Sequence, residues 1–241
     1  MRRALALALL LGCAATEEQV VTPEQRGEAL VDDRGFSDSS FNAFQCTHCH
    51  AKITPPVGRL LPAPPLAGAM KRPTFWNGRF LTLFEAVDYC QQQFMRGAPL
   101  DPKSKKALDL YAYLGSIAAL GPTTAQPFRV LLEIKDLPRG DAAKGAQVWE
   151  AACKSCHGAP HSGTGRLKPP VGDSPVSIVP EETIAFHGAD GPDVIRQVVI
   201  EKIRHGGFLG FAGRMPPYPT DVLTDAQVAD LLTFLGLYDL K

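Results

Sequence analysis

"NAFQCTHCHAK", residues 42–52, and "EAACKSCHGAP", residues 150–160, each place two cysteines two residues apart, with a histidine directly after the second. The chain holds six cysteines, and four of them stand in these two stretches as Cys46, Cys49, Cys153 and Cys156. Three chemistries use such a thiol pair. A structural zinc gathers four ligands, from two such pairs or from one pair and spaced histidines, and leaves the adjoining His50 and His157 without a role. A redox disulfide of thioredoxin type belongs beside a βαβ pattern, which the chain does not show. Covalent attachment of a c-type haem uses all three residues. The cysteines add across the two vinyl groups of one porphyrin edge, which requires two sulfurs a short, fixed reach apart. The histidine then supplies the proximal nitrogen to iron. The two copies predict two covalently bound haems, with His50 and His157 as proximal ligands.

The N-terminus, "MRRALALALLLGCAATEEQ", says where those thiols reside. Arg2 and Arg3 precede an apolar run, Ala4 to Leu11, and a small residue, Gly12, precedes Cys13. That is the build of an export signal over residues 1–12, too short for a permanent membrane span. The ending "LLGC" resembles the lipobox of bacterial lipoproteins. The resemblance implies a diacylated Cys13 that anchors an exported, periplasmic chain to a membrane, each buried methylene contributing about 0.8 kcal/mol. Outside the cytoplasm a free thiol oxidises, so the odd cysteine, Cys90, calls for a fate of its own.

The two attachment stretches lie 107 positions apart (153 − 46), and each is followed by a similar succession of features. This repeat divides the chain into a domain over 20–120, a linker over 121–138 and a second domain over 139–241. Each copy closes with a helix. Val228, Leu231, Leu232 and Leu235 recur at helical spacing behind a capping box of Thr224 and Gln227, and Ala107, Leu110, Tyr111 and Leu114 keep the same register. A helix leading into the second pair would turn Gly145, Val148 and Trp149 toward a partner. Stretches such as "PPVGRLLPAPP" and "KPPVGDSPVSIVP" read as ordered loops, because they carry Val57, Leu60, Leu61 and Leu66 among the prolines. Val130 to Ile134 reads as a short strand or as packing between domains.

The helix, C-x-x-C-H, proline-rich loop, "MP" and terminal helix of residues 139–241 resemble a class I cytochrome c domain, and residues 20–120 resemble a diverged relative. The fold this implies is mainly α: two helical domains, each wrapped around one haem. The resemblance also implies that Met215, 58 residues after His157 (215 − 157) in "FAGRMPPYP", is the distal ligand of the second iron. For the first iron two candidates stand. Met95 corresponds to Met215 by the repeat. Yet C-x4-M-x-G-x-P-L, from Cys90 to Leu100, resembles the haem domains of thiosulfate dehydrogenase and of the sulfur-oxidising haem subunits, where a cysteine is the distal ligand. Met70, 20 residues past His50 (70 − 50), reads as packing, and His205 as a loop or propionate contact.

With 25 basic and 25 acidic residues the chain carries no net charge, so nucleic acid is not an expected partner. No Ser-His-Asp arrangement, phosphate loop or dinucleotide fingerprint is present, and any chemistry must come from iron. The favoured expectation is an electron carrier between a redox-protein donor and acceptor, with no catalytic residue of its own. The alternative, implied by the resemblance, is a thiosulfate dehydrogenase-like oxidoreductase that forms tetrathionate, with Cys90 at the reacting centre and a small sulfur anion as substrate. Lys71, Arg72 and Arg79, around Phe75 and Trp76, would neutralise haem propionates, form a solvated face or line an anion entrance.

Overall fold

Apolar residues three and four apart set the helices on which the molecule is built. The computed structural model describes residues 20–129, 131, 133–171, 175–208 and 213–241. Its α-helices are α1 (Pro23–Val31), α2 (Cys46–Cys49), α3 (Leu83–Gln93), α4 (Lys105–Ser116), α5 (Ala142–Val148), α6 (Lys154–His157), α7 (Glu181–His187), α8 (Pro192–Arg204) and α9 (Asp225–Phe234). Among the described residues no strand forms beyond one isolated bridge between Phe75 and Phe80, so the chain is mainly helical, as expected. None of the described helices is long and apolar enough to cross a membrane. The export signal, Cys13, Val130 and Leu132 lie outside the described residues.

One construction is used twice. In the first half α1 crosses α4, and in the second α5 crosses α9. Both crossings are closed by a glycine. A Cβ on Gly27 would fall 2.0 Å from the Asp109 carbonyl oxygen and 2.7 Å from Tyr113 Cβ; on Gly145 it would fall 2.1 Å from the Asp230 oxygen and 2.7 Å from Phe234 Cβ. Backbone meets backbone at a separation that no other residue allows. Both terminal helices start as their sequences require. Ser104 caps α4, and the Thr224–Gln227 capping box opens α9, with Thr224 N donating to Gln227 Oε1 at 2.9 Å.

Each crossing rests on its own core. Val31, Phe36, Leu110, Leu114 and Met95 pack in the first half. Val148, Trp149, Ile200, Leu231 and Leu232 pack in the second, where Gly145, Val148 and Trp149 all turn inward as their spacing predicts. Each such side chain stabilises by about 1.5–3 kcal/mol on leaving water. A forked ion pair adds to the first crossing: Arg26 Nε and Nη2 reach the two Asp109 oxygens at 2.8 and 2.7 Å, and Lys105 joins them. Arg26 first, then Lys105, hold the Asp109 carboxyl down to about 2.

The described parts of the proline-rich loops do not all pack. Leu66 lies against the first core and Leu60 against the second, whereas Val57 is fully exposed. Met70 is 45% exposed on a short 3₁₀ turn, a surface side chain rather than the packing residue its position suggested. His205 ends α8 as a buried side chain whose imidazole bonds the Leu131 carbonyl, so it is a structural contact.

The halves meet along a continuous seam. Leu60 N donates to the carbonyl of Ala151, two residues before Cys153, at 3.0 Å. Trp76 stacks on Phe208 of the second half, with centroids 4.7 Å apart and planes at 18°, and meets Phe128 edge-on at 4.8 Å. Trp76 and Asn77 both hold left-handed backbone, φ 53° and 55°. A bulky side chain adopts that region only where its surroundings enforce it, and the ring cluster does so here.

Candidate haem sites

Cys46 and Cys49 bound the short helix α2, while Cys153 caps the start of α6 and Cys156 lies within it, each helix entered from a segment held by its own half's core. His50 follows α2 and His157 closes α6. In both copies the imidazole Nδ1 faces a main-chain carbonyl in the loop that follows: Pro64 at 2.7 Å for His50, and Ser177 at 2.9 Å for His157. A carbonyl only accepts, so Nδ1 carries the proton and Nε2 is left with its lone pair. That is the tautomer a metal ligand needs, with the partner that fixes ring orientation. Burial pushes both imidazoles below their ordinary value, against the pull of those carbonyls, and Arg72 adds to the effect at His50.

Around His50 lies a cavity of about 1360 Å³ including its open mouth, lined largely by apolar side chains from α3, α4 and the proline-rich loop. Cys46 and Cys49 both face it. So do Cys90, on α3, and Met95, just beyond that helix; the structure brings both candidate distal ligands to the same space as His50. Met95 is 5% exposed and belongs to the first core, whereas Cys90 is half-buried. Burial pushes the Cys46 and Cys90 thiols up to about 12, and Cys49 also rises. Buried thiols of that kind are neutral unless a bond to carbon or a metal cation displaces the proton.

The charges around the cavity are one-sided. Arg72 and Arg214 line it, and no carboxylate does among the described residues. Arg72 is 9% exposed; its Nη2 donates to the Pro65 and Ala67 carbonyls at 2.6 and 2.8 Å, while its buried Nε meets no acceptor. A buried cation with an unused donor calls for an anion, and the carboxylate of a porphyrin propionate supplies one. Apolar walls, paired thiols, a correctly protonated histidine and an unsatisfied arginine together fit a covalently held haem. Lys71 and Arg79 of the same basic cluster are exposed, Arg79 lying 5.7 Å over the Phe80 ring.

In the second half Cys153 packs against the core around Trp149 and is pushed up to about 12 by burial, and Cys156 is raised for the same reason. Trp149 Nε1 donates to the Gly158 carbonyl at 3.1 Å and Tyr218 hydroxyl to that of Ala152 at 2.7 Å, fixing the chain on both sides of the pair. Met215 packs against the same core as Cys153. His187 does not join them; it pairs with Asp190 at 3.0 Å.

Several residues at the first site carry no sequence signal. Gln126, Pro127 and Phe128 between the halves form part of the cavity wall, as do Arg214, Pro216 and Pro217 from the second half. A thiol pair with its adjoining, pre-oriented histidine, set in a helical apolar shell, defines a c-type cytochrome.

Comparison with known proteins narrows this. Residues 140–235 match the family described as cytochrome c oxidase, cbb3-type, subunit III. The chain is 28% identical over 165 residues to the thiosulfate dehydrogenase of Allochromatium vinosum, a match that covers 65% of this chain and 59% of that protein. The as-isolated structure of thiosulfate dehydrogenase from Marichromatium purpuratum aligns with a TM-score of 0.43 at 18% identity, covering 88% of this chain and 45% of that one. The chain thus spans about half to three-fifths of the length of these relatives. It is a c-type cytochrome related to thiosulfate dehydrogenase.

Proposed function

We propose that this chain is a di-haem electron carrier, exported and tethered to a membrane through a lipid on Cys13, that passes electrons between redox proteins outside the cytoplasm. The observation that carries the reading is the repeated histidine geometry: Nδ1 bonded to Pro64 in one half and to Ser177 in the other, each beside a C-x-x-C pair. Cys46 and Cys49 would hold one haem with His50, and Cys153 and Cys156 the other with His157. When bound, haem iron supplies reversible one-electron chemistry. The polypeptide orients the imidazoles, excludes water with the two cores and places Arg72 as counter-charge. Met215 is the distal ligand of the second iron, and Cys90 or Met95 that of the first. A thiolate at the first site and a thioether at the second would set the first potential below the second.

One observation favours a second reading, oxidation of a sulfur anion. Cys90 opens into a cavity whose charged side chains are cationic, and the curated relative is a thiosulfate dehydrogenase. In that reaction two thiosulfate ions join through a new S–S bond to give tetrathionate, releasing two electrons to an acceptor. Purified holoprotein incubated with thiosulfate and an artificial acceptor separates the two. Acceptor reduction that depends on thiosulfate establishes the enzyme; its absence, in a protein that still exchanges electrons with a small redox protein, leaves the carrier. A haem stain or mass that shows no covalent haem overturns both.

A further inference from the structure

The segment that would supply the second iron's distal sulfur is fastened onto the helix that bears the first site's thiol. Helix α3 carries Cys90 and ends at Gln93, where its last carbonyls have no partner within the helix. Arg214 fills that place from the other half: its Nη1 donates to the Gln93 carbonyl at 2.6 Å and to that of Gln92 at 3.3 Å. Gln93 answers in the opposite direction, its side-chain Nε2 donating to the Gly207 carbonyl at 2.6 Å. Gly207 N in turn donates to the Met215 carbonyl at 2.8 Å. Gly207 is held as glycine by its own segment, since a Cβ there would fall 2.4 Å from the Gly213 oxygen, and it would also come within 3.1 Å of Gln93 Nε2. Neighbouring residues of this segment face different sites. Arg214 and Pro216 line the first cavity, while Met215 packs on the second core.

We propose that Arg214 and Gln93 are positioning residues that couple the two haem sites, so that ligation or charge at one iron alters the reduction potential of the other. The proposal rests on the two-haem reading. Two routes follow from the geometry. Arg214 brings a positive charge to the wall of a low-dielectric cavity, where it favours the reduced form of a haem beside His50. The hydrogen-bonded clasp also ties the end of α3 to the Met215 backbone, so a shift of either segment is passed to the other. Coupling of this kind is reciprocal by thermodynamic necessity.

The test is a spectroelectrochemical titration of the holoprotein and of Gln93→Leu, Arg214→Gln and Arg214→Lys, with haem content measured by pyridine haemochrome. Gln93→Leu removes only the bond to Gly207 and lies on no iron; it is expected to shift both midpoint potentials. Arg214→Gln is expected to lower the potential of the first haem and displace that of the second, and Arg214→Lys to shift the first less, because it keeps the charge. A merely structural clasp would lower the melting temperature and leave both potentials in place. Two haems per chain with potentials unmoved in all three variants, or with only one moved by Gln93→Leu, overturn the coupling alone. One haem per chain overturns the two-haem reading beneath it.

Discussion

Cys90 and Met95 are five residues apart and both reach the cavity, so the distal ligand is decided by chemistry rather than by access. Cys90→Ala is expected to change the visible spectrum of one haem and raise its potential, because a thiolate's electron donation favours ferric iron. Met95 serves the core, and Met95→Ala is expected to cost about 2–5 kcal/mol of stability with the spectrum intact. The opposite pattern, a spectrum altered by Met95→Ala and untouched by Cys90→Ala, places Met95 rather than Cys90 on the iron. At this scale the sequence is highly legible for attachment, since C-x-x-C-H is a contiguous chemical unit. It is far less legible for Arg72, whose burial and unused Nε follow from loops folding over it. The exposed Lys71 beside it looks the same in sequence.

The closing helices α4 and α9 and the helix α5 are readable from spacing and caps, whereas α1, α3, α7 and α8 were not read, nor were the partners that the helices choose. The Thr224–Gln227 box and the shared register of α4 and α9 follow from local rules. That Gly27 and Gly145 mark the crossings does not, because a glycine inside a helix reads only as a weak point. Gly145→Ala is expected to destabilise by about 1–3 kcal/mol, as overpacking against the Asp230 carbonyl outweighs any gain in helix propensity. Gly115, near the end of α4, faces open space, and Gly115→Ala is expected to stabilise by up to about 1 kcal/mol. Urea unfolding of the two holoprotein variants checks the pair, and equal effects would dismiss the steric argument.

Across the whole molecule the seam is what sequence alone leaves hidden. Trp76, Phe128 and Phe208 come from three distant stretches, and no local pattern announces that they stack. The 121–138 region looked like a connector, yet its residues 126–128 wall the first cavity. Trp76→Ala is expected to cost on the order of 3 kcal/mol, the range for deletion of a packed aromatic side chain, and to bring the halves apart before either unfolds. Calorimetry should then resolve two transitions where the parent shows one; a single transition at an unchanged temperature would count against the seam. The join at Gln93 and Arg214 has a different character, because every acceptor in it is a main-chain oxygen. Mutational drift along the accepting segments therefore leaves the acceptors intact, and besides the glycine at 207 only the two donor side chains have to be inherited for this clasp to persist.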